Sequence, residues 1–553
     1  MTHFSWWLDG SIVGLYLLAT MVAGIAVRKY VGKVEHFLLA GREMNVYLGI
    51  ASLAATEFGI VTCMYTAQFG YKYGFAGATP GILQALAMFL IGVTGFCVKP
   101  LRDSGAMTIP ELFERRYGAR IRWLAGVVIV LGGLLNMGVF LRMGGDFLLL
   151  VTGLHGPHLL EIMMTVLLTA VAVYTILGGM LSVLVTDFLQ FVVMSGGLLV
   201  VTLLILARVG WDRLVASVQQ HCGPGGFNPF VNSELGWEFV VYQLFIQTAA
   251  TLTWQTCIAR LLAARDTRTG RKVYTGTAFF FCCRFLIPGL WGMAALAVLG
   301  WAPLKTLSAG EQAALPAGVQ AKIAASRAPD ALGQLSTEEK RQLPPPVRDK
   351  LEKVSLQAMP RFLSTFLPAE LMGLLGLLLA AMLAADMSTD SSYMLTWASV
   401  IYNDILAPFR RTRWSERKGI LWNRFIVALI GVYLLFFGLW YELKGNLWDY
   451  LTITGTIYLA SMSTLLIACC YWKRANNWGA AGAIIVGAAI PVAFLVIQQL
   501  PATAELARRI GPYYSGMAAY VGAALAMIVG SLLKPRPPLA PSGAAARAAA
   551  EGG

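Results

Sequence analysis

The sequence predicts an all-α integral membrane protein. Apolar residues make up 57% of the chain and charged residues only 13%, and the mean hydropathy is +0.65. Apolar runs of roughly 20 residues, the length a helix needs to cross a bilayer, recur almost from end to end. Lys and Arg are concentrated in alternate loops between those runs, as the positive-inside rule requires of a multi-pass protein.

By hydropathy there are about 13 spans. They lie near 8–27, 46–70, 77–98, 122–152, 159–177, 186–208, 237–260, 273–300, 366–404, 423–440, 447–471, 478–499 and 517–533. The 366–404 run is long for one span, so its ends should leave the membrane. The first run has no Lys or Arg on its N-side and no small-residue cleavage site after it, so it reads as a span rather than a signal peptide. The net charge of +14 invites comparison with nucleic-acid binders, but its placement excludes that reading. Arg28, Lys29, Lys33 and Arg42 follow the first span, and Arg115, Arg116 and Arg120 follow the third. Arg265, Arg268, Arg271 and Lys272 follow the seventh, and Arg410, Arg411 and Arg413 the ninth. This places the N-terminus outside and the C-terminus in the cytoplasm of a cell's inner (plasma) membrane.

Eight cysteines give no disulfide framework, because seven fall inside spans and Cys222 has no loop partner. No Cys-x-x-Cys or His cluster suggests a transition-metal site. Two segments are polar. Residues 301–358 form an insert with a capping-box pattern at Ser336-Thr337-Glu338-Glu339, and Pro344-Pro345-Pro346 should break the helix that it opens. Residues 534–553 are Pro-, Ala- and Gly-rich and read as a disordered cytoplasmic tail.

One stretch carries unusual chemistry between apolar segments: Gly178-Gly179-Met180-Leu181-Ser182-Val183-Leu184-Val185-Thr186-Asp187-Phe188-Leu189-Gln190. Charge at a membrane edge is costly and commonly functional. Four other stretches stand out. They are Phe37-Leu38-Leu39-Ala40-Gly41-Arg42, Thr108-Ile109-Pro110-Glu111, Ala384-Ala385-Asp386-Met387-Ser388-Thr389 and Tyr471-Trp472-Lys473-Arg474-Ala475-Asn476. Together and in this order, the five resemble motifs of the sodium:solute symporter family. The resemblance spans about residues 35 to 480.

The resemblance implies a LeuT-type core of two five-helix inverted repeats, each beginning with a helix interrupted at mid-membrane. On this scheme residues 1–45 are a first helix and loop, 46–208 the first repeat, 209–236 an outer loop and 237–471 the second repeat with its insert 301–358. Residues 472–533 add two helices. The small and polar run Ala54-Ala55-Thr56-Glu57-Phe58-Gly59 is compatible with an interruption.

The resemblance also implies a sodium site made of the carbonyls of Ala55, Phe58 and Ala385 and the hydroxyls of Ser388 and Thr389. Sodium is a hard cation that favours oxygen ligands, and Ala385, Ser388, Thr389 and Ser392 share one helix face at i, i+3, i+4, i+7. The alternative is that these hydroxyls only bond backbone and pack helices. The sialic acid branch of the family implies a second sodium site at Asp187, Ser388, Ser391 and Ser392. Asp187 also reads as a favourable helix N-terminal charge.

Asp386 and Asp390 depart from the family pattern. They could tune ion choice, pair with Arg, bind a cationic solute or sit in a watery vestibule. Glu57 matches an acidic position of the proline-transporter branch, or caps the half-helix after the break. Arg142 could read a solute carboxylate through its fork, or pair with Asp146 at i+4. Gln68, Trp254, Gln255 and Tyr458 are further candidates for solute contact, with packing the alternative for the aromatics.

The expectation is therefore a sodium-coupled symporter importing a small organic solute, one bearing a carboxylate or a sugar. Proton coupling is a variant within transport. A transporter-like sensor is another class, although the short tail carries no output domain. An enzyme is not expected, since no nucleophile–base pair, metal motif or nucleotide loop appears. Nor is an obligate protein partner or a nucleic acid; the lipid bilayer is the expected surrounding.

Overall fold

The computed structural model describes residues 4–300, 307–325, 339, 342–367, 373–409, 414–443, 445–500 and 502–534. Fifteen helices organise the membrane part. The first is α1, Asp9–Ala26. A broken span follows, α2 (Val46–Glu57) and α3 (Ile60–Tyr73), then α4, Thr79–Thr94. Next come α5 (Ala119–Met137) and α6 (Phe140–Thr152), and α7, Leu159–Val209. A second broken span consists of α8 (Gly236–Thr253) and α9 (Gln255–Ala263). The remainder are α10 (Thr267–Leu299), α11 (Leu374–Val400), α12 (Glu416–Trp440), α13 (Leu447–Tyr471), α14 (Asn477–Gln499) and α15 (Ala504–Leu533).

Among the described residues, ten helical stretches are long and apolar enough to cross a bilayer. Two of them hold more than one span. α7 is 51 residues long and breaks at Gly179, whose φ of 56° no Cβ-bearing residue adopts readily. A Cβ there would also come within 2.4 Å of the Phe37 carbonyl. The stretch Ile60–Thr94 joins α3 to α4 across Gly74–Ala78. Dividing both, and adding the broken span Gly236–Ala263, brings the count to about thirteen.

The helices are not equivalent. In the most apolar window of the α11 stretch 94% of residues are buried, against 17% for α1. A helix buried on all sides in a membrane bundle is a central one, and α11 carries Ala385 to Ser392. Two close approaches bring α3 against α10. A Cβ at Gly70 would lie 1.9 Å from the Gly289 carbonyl, and one at Gly292 would lie 1.8 Å from that of Ala67. Small residues thus let the two backbones touch, the usual basis of tight packing in lipid.

No strand occurs among the described residues. A single parallel bridge joins Met44 to Ala264. There the Met44 N–H donates to the Ala263 carbonyl at 3.2 Å and the Arg265 N–H to the Met44 carbonyl at 3.1 Å. It ties the start of the first broken span to the end of the second.

In the insert, residue 339 is helical and 342–344 are not, and Pro345 and Pro346 open a new helix, Pro345–Leu356. Proline is tolerated in a first helical turn, where its missing N–H has no intrahelical partner to lose. Residues 336–338 of the expected capping box lie outside the described residues, as do 535–553 of the tail. A capping box does occur earlier, at Ser308 and Glu311, and Lys350 reaches Glu311 at 2.7 Å.

Candidate functional site

α2 stops at Glu57 because Phe58 (φ −100°, ψ 32°) leaves helical geometry, and α3 restarts after Gly59. Gly59 is needed for contact rather than for its dihedral angles: a Cβ would come 2.5 Å from Thr389 Oγ1. Thr389 fits against the break, its hydroxyl within hydrogen-bond distance of the Thr56 carbonyl (2.7 Å) and the Ala385 carbonyl (2.9 Å). The Phe58 carbonyl, outside both helices, is met among the described contacts only by the Cys63 thiol at 4.0 Å. The Ala55 carbonyl accepts the Phe58 N–H at 3.2 Å. The C-terminal end of α2 is thus an electronegative, oxygen-rich spot. It gathers four of the five groups of the expected sodium site: Ala55, Phe58, Ala385 and Thr389.

The fifth, Ser388, points elsewhere. Its hydroxyl donates to Asp187 Oδ1 at 2.6 Å. Asp187 is fully buried, and so is the cation beside it, Arg260. Arg260 Nη2 donates to Asp187 Oδ2 (3.0 Å), Thr56 Oγ1 (2.8 Å) and Ser392 Oγ (2.5 Å), and its Nε to Ser52 Oγ (3.0 Å). Ser52 donates to the same Asp187 oxygen at 2.5 Å, and Ser391 donates to the Ser388 carbonyl at 3.2 Å. Asp187, Ser388 and Ser392 of the expected second sodium site do meet, but they meet around a guanidinium. Arg260 of α9 thus places a positive charge at this carboxylate. The sequence reading missed Arg260 because it ended that span at residue 260, making Arg260 an edge charge. α9 continues to Ala263 and carries it inward.

On the other side of the break lies a cavity of about 90 Å³. Glu57, at the end of α2, forms one wall with Arg284 of α10. Arg284 Nη1 donates to Glu57 at 2.8 Å and Nη2 to the Tyr65 hydroxyl at 3.0 Å. Thr256 of α9 donates to the other Glu57 oxygen. Trp254, at the second break, also lines the cavity, with its indole N–H on the Tyr393 hydroxyl at 2.9 Å. Gly59 to Thr62, the first turn of α3 and its positive end, border the space together with Asp386 and Thr389.

The remaining candidates fall elsewhere. Tyr458 is fully buried and stacks on Trp254 with ring centroids 5.8 Å apart, behind the cavity wall. Gln255 borders a separate space of about 20 Å³. Gln68 donates to the Glu352 carboxylate (2.9 Å) and Ser355 (2.8 Å) of the insert helix. Arg142 does not line the cavity. Its guanidinium donates to the carbonyls of Gly438 and Leu439 at 3.3 and 3.2 Å, satisfying the end of α12.

Towards the insert, four rings separate the cavity from a larger one. Trp448 packs on Tyr65 (4.8 Å between centroids), Phe69 (5.4 Å) and Phe285 (5.8 Å). Beyond them lies a space of about 460 Å³ bordered by Lys72, Glu234, Glu352 and Asn446. Lys72 pairs with Glu352 at 2.8 Å, so the insert helix is fastened over this space.

A helical bundle whose two interrupted helices meet at a buried polar cavity is a LeuT-type membrane transporter, with a core of two five-helix inverted repeats. The chain belongs to the sodium:solute symporter family, whose model matches residues 37–324 and 344–487. It is 24% identical over 533 residues to sodium/glucose cotransporter 4 of Mus musculus, covering 91% of this chain and 71% of that one. To the osmoregulated proline transporter OpuE of Bacillus subtilis (strain 168) it is 21% identical, covering 95% and 94% of the two chains. A solved structure of a Na⁺-coupled sialic acid symporter in a substrate-bound outward-open state superposes with a TM-score of 0.74 at 16% identity. That match covers 96% of this chain and 99% of the other.

Proposed function

We propose that this protein is a sodium-coupled symporter that imports a small organic solute by alternating access, with one sodium ion per solute. The observation that carries the reading is the first break. It presents carbonyl oxygens and the Thr389 hydroxyl at the negative end of α2, and the positive end of α3 at the adjoining cavity. A cation and a polar solute would then share one wall, so binding of each would strengthen the other. Ala55, Phe58, Ala385 and Thr389 would ligate the sodium, with Ser388 at its edge. Asp187, Ser391 and Ser392 would serve the Arg260 cluster in place of a second ion. Residues 46–208 and 237–471 would be the two repeats that rock against each other, with the insert and N-terminus outside and the C-terminus in the cytoplasm.

The solute would carry a carboxylate or be a sugar. Arg284 is better placed than Arg142 to read an acid, since it lines the cavity. Glu57 and Trp254 line it as well, while Gln68 would act on the entry route. Purified protein in liposomes, offered labelled sugars, sialic acid, amino acids and monocarboxylates under imposed sodium or proton gradients, tests the reading. Uptake driven by inward sodium is expected. Uptake driven only by a proton gradient would replace sodium by protons.

A further inference from the structure

Asp386 borders the 90 Å³ cavity from α11. It is 3% exposed, and it makes no hydrogen bond or ion pair with any other described residue. Every basic group near it is committed elsewhere: Arg284 to Glu57, Arg260 to Asp187 and Arg142 to the end of α12. Asp390, one turn further on, is also buried and has an unpartnered oxygen, Oδ1. On a third side, Gln84 Oε1 is buried without a partner and its residue lines the same cavity. The surroundings leave room for Asp386, because a Cβ on Gly144 would come within 2.8 Å of its Oδ2.

An uncompensated carboxylate in a membrane interior is costly unless it meets a cation or a proton. The unmet acceptors are on Asp386, Asp390 and Gln84; the unmet donors, Arg284 Nε and Trp448 Nε1, belong to other lining residues, and Tyr65, Phe140, Trp254, Tyr393 and Trp448 bring rings to the same cavity. Acceptors beside ring faces suit an organic ammonium, whose N–H groups bond oxygen while its carbons lie over the rings.

We propose that Asp386 recognises an amino group on the transported solute, with Gln84 as a second acceptor. This rests on the reading of the cavity as the solute site. Any carboxylate on the same solute would lie towards Arg284 and the start of α3.

The test uses purified full-length protein and its thermal unfolding midpoint, titrated with matched solutes in sodium chloride and again in potassium chloride. The pairs are ethanolamine and ethylene glycol, D-glucosamine and D-glucose, and L-proline and tetrahydrofuran-2-carboxylate, with methylammonium as the smallest probe. In at least one pair the amine should bind about tenfold or more tighter than its amine-free partner. Asp386→Asn should abolish that preference and Asp386→Glu should retain it. Because Asp386→Asn removes a buried charge without changing shape, its own midpoint in the absence of solute checks that it folds. Failure of all the amines to stabilise the protein would overturn the proposal. So would equal binding of the amine-free partners, or a preference that survives in Asp386→Asn. In that last case, loss of proton-driven uptake or of sodium binding in the variant would reassign the carboxylate to a proton or an ion. An amine preference indifferent to sodium would leave the proposal standing and contradict sodium coupling instead.

Discussion

Two buried arginine–carboxylate pairs flank the first break, and they differ in what surrounds them. Arg260 and Asp187 are both fully buried, and Ser52, Thr56, Ser388 and Ser392 bond one or both of them. Arg260 Nη1 lacks a partner there, as Arg284 Nε does in the other pair. Neither Asp187 nor Arg260 borders the 90 Å³ cavity. Arg284 and Glu57 form the same chemical pair, yet they face an open space whose other walls hold the lone Asp386 carboxylate and the unpartnered Gln84 oxygen. The enclosed pair pins α2, α7, α9 and α11 together. The pair at the cavity stands beside polar atoms left for something that arrives. Buried charge is therefore a marker of binding only where it borders open space with unmet polar groups.

Breaking the enclosed pair should have the largest effect. Arg260→Met strands Asp187 in the interior and should cost about 3–5 kcal/mol, read as a fall in the thermal midpoint and in monodisperse yield. Adding Asp187→Asn should recover much of that loss. Full stability of Arg260→Met alone would mean that the pair pins nothing.

The opposite flank should respond in function rather than folding. Thr389→Ala removes an oxygen at the break and should raise the sodium concentration for half-maximal uptake about tenfold, or ~1.4 kcal/mol. Ser388→Ala should do less, because its hydroxyl faces Asp187. Gly59→Ala should act in the direction of Thr389→Ala, since its Cβ would land 2.5 Å from Thr389 Oγ1. Sodium dependence unchanged in all three would remove the ion from the break.

Smaller effects are expected at the insert. Glu352→Gln weakens the contact with Lys72 and should speed hydrogen–deuterium exchange across residues 345–356 several-fold, with little change in the thermal midpoint. At Glu311, Lys350 and the Ser308 N–H hold the carboxyl down at about 2. A depressed carboxyl stabilises above its ordinary range and loses that contribution as the pH falls through 2. The group is exposed, so Glu311→Gln should leave the midpoint of the whole protein unmoved at neutral pH.

The spans were legible because lipid imposes long apolar runs, and the first break because Ala54 to Gly59 is too small and polar to continue as an ordinary span. The break at Trp254 carries no glycine or proline, so the resemblance implied an interruption in that span without any local pattern to place it. Arg142 illustrates a different limit. Its helix was identified, but hydropathy says nothing about whether a side chain turns to a cavity or to the carbonyls ending α12. Gln68 and Glu352 are 284 residues apart, and no local pattern announces such a contact. Asp386 stood out in the sequence as an unusual charge; that it lacks a partner is a property of the fold alone.

The most direct test of the contrast between the two flanks needs no knowledge of the solute. Binding of ²²Na⁺ to the purified protein, titrated to saturation, counts the ions it holds. If the Arg260 guanidinium fills the place of a second cation, one sodium binds per protein and Thr389→Ala weakens it. Two sodium ions per protein, one of them lost in Asp187→Asn, would contradict the account.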